Sequence, residues 1–191
     1  MRGETTEDAL IALIADDPRA DGPRLVLADY YAERADPRGE LMALQLATRR
    51  QGGHEARLRM LLATHGSALA GSLADVLLAS SLRFERGRLA AGQTRFASAA
   101  ERCAVRGHPL WATVEELTTD DPELVADPMM RSLRAAHGLG LSAFASVCRG
   151  ERPLPLEELT VWTSTLDAGS PADRAAIANA RCLPRLRHLR W

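Results

Sequence analysis

The sequence predicts an α/β chain that is mostly α: a helical domain over residues 1–81, then a short, irregular solenoid of strand-and-helix units with parallel strands over residues 82–191. Three observations predict it. Up to Ala79, apolar residues recur at helical spacing between Asp-Pro and Gly-rich breaks; Leu82 to Leu89 alternates apolar with charged side chains; from Val114 onward one short leucine pattern returns four times.

The first helix is expected to start near Thr5 or Thr6, with Asp8 in its first turn, to point Leu10, Ile11, Leu13 and Ile14 inward, and to stop at Asp17-Pro18. Asp21-Gly22-Pro23 opens the second, an N-cap side chain followed by a proline whose fixed φ suits the first turn. Leu25, Val26, Ala28, Tyr30, Tyr31 and Ala32 predict a broad buried face. That helix ends at Asp36-Pro37, because the residue before a proline is pushed out of the α region. Asp36 then caps a third helix carrying Leu41, Leu44, Gln45 and Thr48, closed by Arg49-Arg50-Gln51-Gly52-Gly53. A fourth helix runs from about Glu55 to Ala70 with Leu58, Leu61, Leu62 and His65 on one face, and a short one from Ser72 to Ala79.

The most distinctive wording is PRLVLADYYAERADPRGELMALQ, Pro23 to Gln45. It resembles the bacterial repeat-companion domain, whose pattern is Pro-Arg-Leu-Val, Ala-Asp followed by an aromatic, Glu-Arg, Asp-Pro-Arg-Gly-Glu and a closing Leu-Gln. Tyr30 stands where Trp is more usual and Tyr31 where Leu is common. The resemblance lies within the stretch of about thirty residues from Asp16 to Gln45 and implies a helical domain lying beside repeat segments, often leucine-rich ones, with no catalytic role attached. The Arg-Gly segment from Leu82 to Leu89 also resembles that family's junction with its repeats and sets the expected boundary. Within the motif, Arg24, Asp29, Arg38 and Glu40, together with Glu33 and Arg34, are expected to form an ion-pair network that clamps the helices, with Gly39 allowing close backbone approach. The alternative is a metal or acid–base site at Asp29 and Glu40. Carboxylates mixed with arginines in near-equal number usually neutralise one another, which favours the clamp.

The repeated pattern is an apolar residue, two variable ones, a leucine, one variable, then a small or apolar residue. It occurs at Val114–Thr119, Met130–Ala135, Leu156–Val161 and Leu186–Trp191. The central leucines, Leu117, Leu133, Leu159 and Leu189, are 16, 26 and 30 residues apart, against about 20 to 29 in leucine-rich repeats. Between them lie candidate helices Pro122–Ala126, Ser142–Arg149 and Pro171–Ala180, two of them opened by Asp121-Pro122 and Ser170-Pro171. His108-Pro109-Leu110-Trp111 reads as a turn into the first repeat. Stacked strands would point their leucines inward and project Glu116, Thr118, Asp120, Ser132, Arg134, Glu158, Thr160, Trp162, His188 and Arg190 from the sheet face. Such a mixed polar face with a tryptophan suits a protein partner, since Trp and Arg are common energetic anchors. The chain stops inside the fourth strand, so the open edge calls for Trp191 to fold over it, for a partner or second copy to cover it, or for more chain.

Composition narrows the chemistry. The net charge is −1, which implies no general attraction to nucleic acid or to an anionic membrane. Arg49, Arg50, Arg57 and Arg59 read as a solvated helix face, because no aromatics interleave for base stacking. All 24 Lys-plus-Arg residues are arginine, so lysine Schiff bases and the phosphate-loop lysine are excluded. Cys103, Cys148 and Cys182 are far apart without a Cys-x-x-Cys, which predicts reduced, buried thiols and neither a disulfide framework nor a zinc site. No signal or membrane-spanning run is visible, so the expected location is the cytoplasm. No nucleophile elbow, phosphate loop, dinucleotide glycine pattern or His-Glu-x-x-His occurs, and the five histidines are scattered.

These readings point to a non-catalytic protein-interaction module without a cofactor. An immunity- or antitoxin-type inhibitor of one partner would use the same face. A cryptic enzyme would rely on Asp29 and Glu40, or on Cys103 or Cys148 with a histidine.

Overall fold

The structure is a computed structural model that describes residues 6–17, 20–51, 53–162 and 169–191. The chain divides into two compact units, Met1–Gly71 with Phe84–Arg88, and Ser72–Arg83 with Leu89–Trp191. The stretch 72–81, expected to belong with the helices, is thus counted with the second unit.

The first unit is built from α1 (Thr6–Asp16), α2 (Gly22–Ala32), α3 (Pro37–Gln51) and α4 (Glu55–Leu69). Its core joins Leu10, Ile14, Leu27, Ala28, Tyr31, Met42 and Leu46. The buried stripe of α2 is narrower than the sequence suggested. Leu27, Ala28 and Tyr31 follow one helical phase, and Leu25 and Val26 fall outside it, 39% and 55% exposed. Leu13 of α1 is likewise exposed. Asp21 sits at the N-cap of α2, but its backbone is already helical and its side chain makes no capping bond; it pairs with Arg86 at 3.5 Å instead. Asp36 does cap α3, accepting the Arg38 backbone N–H at 2.9 Å. Gly39 sets how closely α2 and α3 approach, since a Cβ there would stand 2.6 Å from Ala32 N and 2.7 Å from Ala28 O.

The alternating segment after residue 82 is two strands, β1 (Arg83–Glu85) and β2 (Arg88–Gln93). Arg86 and Gly87 both have positive φ, 51° and 78°, the signature of a two-residue hairpin turn. Alternating charge disguised that turn as one continuous strand. Gln45 of α3 clasps it, donating to Phe84 O at 2.5 Å and accepting the Gly87 N–H at 2.7 Å. The helix expected over 72–79 is replaced by 3-10 turns at Gly71–Leu73 and Ala79–Ser81.

The rest of the chain alternates strand and helix: α5 (Ala99–Val105), β3 (Glu116–Thr118), α6 (Pro122–Val125), β4 (Ala135–Gly140), α7 (Leu141–Cys148), β5 (Glu158–Trp162), α8 (Pro171–Ala178) and β6 (His188–Arg190). The strands lie in chain order, β1-β2-β3-β4-β5-β6, and every pairing from β2 to β6 is parallel. A parallel pair needs a crossover between its strands, and short capped helices or turns supply it. Asp121 caps α6 through the Glu123 and Leu124 N–H groups, and Ser170 forms a reciprocal capping box with Asp173 on α8. Helix α5 was not anticipated. Its own capping pair, Ser98 with Glu101 three residues on, was the signal that could have found it.

The register lines residues up in columns. Gly92, Leu117, Ala136, Leu159 and Leu189 form one, and from Leu117 to Leu159 its side chains are fully buried. Val114, Leu133 and Leu156, each three residues earlier than its column member, are buried at 0 to 1%. In β4 the apolar pattern therefore falls three residues later than the leucine spacing suggested: Leu133 takes the first apolar position and Ala136 the central one. In register, the central residues are 19, 23 and 30 apart. The structure is thus a mixed α/β chain with a six-stranded, mostly parallel sheet and eight α-helices among the described residues.

Candidate functional site

One face of the sheet is filled by the buried columns, and the residues flanking them in register project from the other. Along one line these are Ala91, Glu116, Ala135, Glu158 and His188; along the next they are Gln93, Thr118, His137, Thr160 and Arg190. Strand alternation places Trp162 on the same side as Glu158 and Thr160, and it is 70% exposed. Its register neighbour is Gly140, which leaves one flank of the indole without a side chain.

Charges on this face are largely matched across strands. Arg83 donates to Glu116 at 2.8 Å, Arg190 pairs with Glu158 at 3.3 Å, and His137 joins β3 to β5 through Glu116 at 3.8 Å and Thr160 at 3.0 Å. Exposed pairs of this kind contribute little to stability, about 0–1 kcal/mol each.

The structure distributes the expected face residues over three settings. Glu116, Thr118, Glu158, Thr160, Trp162, His188 and Arg190 lie in the strands. Ser132 and Arg134 precede β4 rather than lying in it, with Arg134 pairing with Glu157 at 3.5 Å. Asp120 follows β3 and is held by a two-pronged bond from Arg102 at 2.8 and 2.9 Å, which keeps its carboxyl below the usual range. His137 was missed because alanine at the central position 136 hid the register of β4; a one-residue bulge then follows between His137 and Leu139. Gly138, with φ 91° and its missing Cβ 3.2 Å from Thr119 O, makes that bulge possible.

In the helical unit the expected network of Arg24, Asp29, Arg38 and Glu40 is spread over separate contacts. Arg38 grips Asp36 at 2.6 and 2.9 Å, reaches Glu7 at 3.4 Å and lies 3.9 Å over the Tyr31 ring. Burial works against the Asp36 charge, and the Arg38 bonds outweigh it, so its pKa is lowered. Tyr31 donates to Glu7 at 2.7 Å, and burial with that bond raises its pKa. Arg24 is buried and donates to Ala20 O at 2.7 Å. Glu40 takes two bonds from Arg57, at 2.5 and 2.9 Å, which hold its pKa down. Asp29 is exposed and, with Glu40 and His65, borders a shallow pocket of about 360 Å³.

The nucleophile candidates sit in different surroundings. Cys103 is exposed, against the expectation of three buried thiols, while Cys148 and Cys182 are buried. Burial pushes the Cys148 thiol up to about 12. Ser72 Oγ lies 2.7 Å from His108 Nε2, a pairing that no sequence motif announced. The His108 Nδ1, however, accepts the Leu110 N–H at 3.2 Å. A neutral ring then carries its proton on Nε2 and donates to Ser72, so it cannot take the serine proton. Trp111 is wholly buried, its indole N–H bonded to Val105 O at 2.8 Å. Among the described residues no group of three or more His, Cys, Asp or Glu is arranged to hold a metal ion, and no helix is long and apolar enough to cross a membrane. No protein-family model, curated protein or solved structure matches this chain.

Proposed function

We propose that this chain is a protein-interaction module: a helical domain of the repeat-companion type followed by a short leucine-rich-like solenoid, whose outer sheet face receives one protein partner. The observation that carries the reading is the pair of outward lines running across consecutive parallel strands, with Trp162 on the same side of β5, 70% exposed and with Gly140 next to it. A large, rigid aromatic with an open flank, set among polar groups, matches the usual make-up of a binding hot spot and its rim. The same reading takes the protein to act in the cytoplasm, without a cofactor and without nucleic acid.

The test is capture of partners from the host lysate by the intact chain and by a Trp162→Ala, Thr160→Arg double variant, followed by titration of the recovered protein against both. The expected result is a partner held by the parent and at least about tenfold weaker on the variant, the loss typical of one hot-spot residue. An unchanged affinity in a folded variant overturns the proposal.

A further inference from the structure

Two cysteines that the sequence keeps far apart meet in the fold. Cys148 is the last residue of α7, and Cys182 lies between α8 and β6. The Cys182 thiol donates to the Val147 carbonyl at 3.4 Å, which sets its sulfur against the last turn of α7, beside the residue that precedes Cys148. The Cys182 carbonyl is itself fixed by the Leu154 N–H at 2.7 Å. Both side chains are buried, 6% and 1% exposed. The chain between them carries β5, with Trp162, and α8.

We propose that Cys148 and Cys182 form an oxidisable pair, a modification site that closes to a disulfide between the end of α7 and the approach to β6 when the protein meets a peroxide. In the first step one sulfur attacks a peroxide oxygen, the O–O bond breaks, and a sulfenic acid and one water result. In the second step the other thiol attacks the sulfenic sulfur, the S–S bond forms and a second water leaves. Two thiols and one hydrogen peroxide thus give one disulfide and two waters; the sulfurs lose two electrons and the peroxide oxygens gain them.

The surroundings set how this site behaves. Burial holds both thiols in the protonated form, so the thiolate that attacks is scarce near neutral pH and closure is slow. Exposed Cys103 lacks this protection from reagents and reacts first. Once one buried sulfur is oxidised, the other thiol is the neighbouring nucleophile, which diverts it from the irreversible sulfinic state. The bond would enclose β5 and α8, so it records sustained oxidation by tightening the segment that presents Trp162.

The experiment uses the full chain with Cys103→Ser, which removes the exposed thiol. Folded protein is held in millimolar hydrogen peroxide, quenched, alkylated under denaturing conditions and digested for mass spectrometry. The expected product is a crosslinked peptide pair containing residues 148 and 182, lighter by two hydrogens than the two thiol peptides, with a thermal midpoint raised by about 5 °C and restored by dithiothreitol. Cys148→Ala and Cys182→Ala should each abolish the crosslink and the shift; should either variant fail to fold, the mass and midpoint of the parent still decide. Recovery of both residues as alkylated thiols, as sulfinic or sulfonic acids, or linked to a second copy overturns the proposal.

Discussion

Gly39 leaves no room for a methyl group where α2 and α3 meet, because backbone atoms of Ala32 and Ala28, rather than flexible side-chain ends, occupy the space. Gly39→Ala is therefore expected to destabilise the chain by about 2–3 kcal/mol, the cost of forcing a packed corner apart, as read by urea unfolding. Asp173 gives a residue-scale prediction in pH. Its carboxylate accepts the Ser170 N–H, Arg149 at 2.5 Å and the Ser170 hydroxyl, which together bring its pKa down to about 2. A depressed carboxylate contributes stability above its unfolded value near 3.8 and loses it as pH falls through about 2. Asp173→Asn should accordingly lower stability by a constant amount above about pH 4, and the gap from the parent should close toward pH 2. A gap that persists at pH 2 would assign the effect to packing instead. These capping residues were legible in the sequence because their chemistry is local: Asp36, Asp121 and Ser170 each precede a proline that starts a helix.

Elements were less evenly legible, and the reasons are physical. The helices after Asp121 and Ser170 followed from caps, whereas β4 was misplaced because alanine stands at its central buried position, three residues after the leucine that the spacing pattern had taken for it. The hairpin at Arg86-Gly87 was hidden because alternation continues through its turn, and only backbone dihedrals reveal the reversal. His137 fell out of the expected face, and Ser132 and Arg134 out of the strands, for the same three-residue shift. At this scale the crossover between β3 and β4 offers a test. Asp121 is 2% exposed, caps α6 and takes the Arg106 guanidinium at 3.2 Å. Asp121→Ala should cost roughly 2 kcal/mol, a lost cap together with a partly exposed ion pair, measured by denaturant titration.

On the scale of the whole molecule, the sheet carries a gradient of cover. The central-column residues Leu117, Ala136 and Leu159 are fully buried, but Leu189 in β6 is 36% exposed and Trp191 is 61% exposed even though its ring meets Phe144 edge-on at 6.2 Å. The exposure of Leu189 makes a substitution there inexpensive: Leu189→Arg is expected to change stability by less than about 1 kcal/mol in urea unfolding, whereas Leu159→Arg, at the fully buried place in the same column, should prevent folding. What no sequence pattern could have announced is any meeting of distant residues, such as Cys148 with Cys182 or Ser72 with His108, because those depend on how successive strands stack.

The strand order has a mechanical consequence. Among the described residues, each strand from β2 to β6 pairs with its neighbours in chain order, so a load applied at one end is passed from strand to strand. A molecule pulled by Trp191, away from β5 and in the plane of the sheet, should peel: β6 parts first, then β5 with α8, each at its own modest force. An optical trap would record a staircase of small extensions in place of one abrupt rupture.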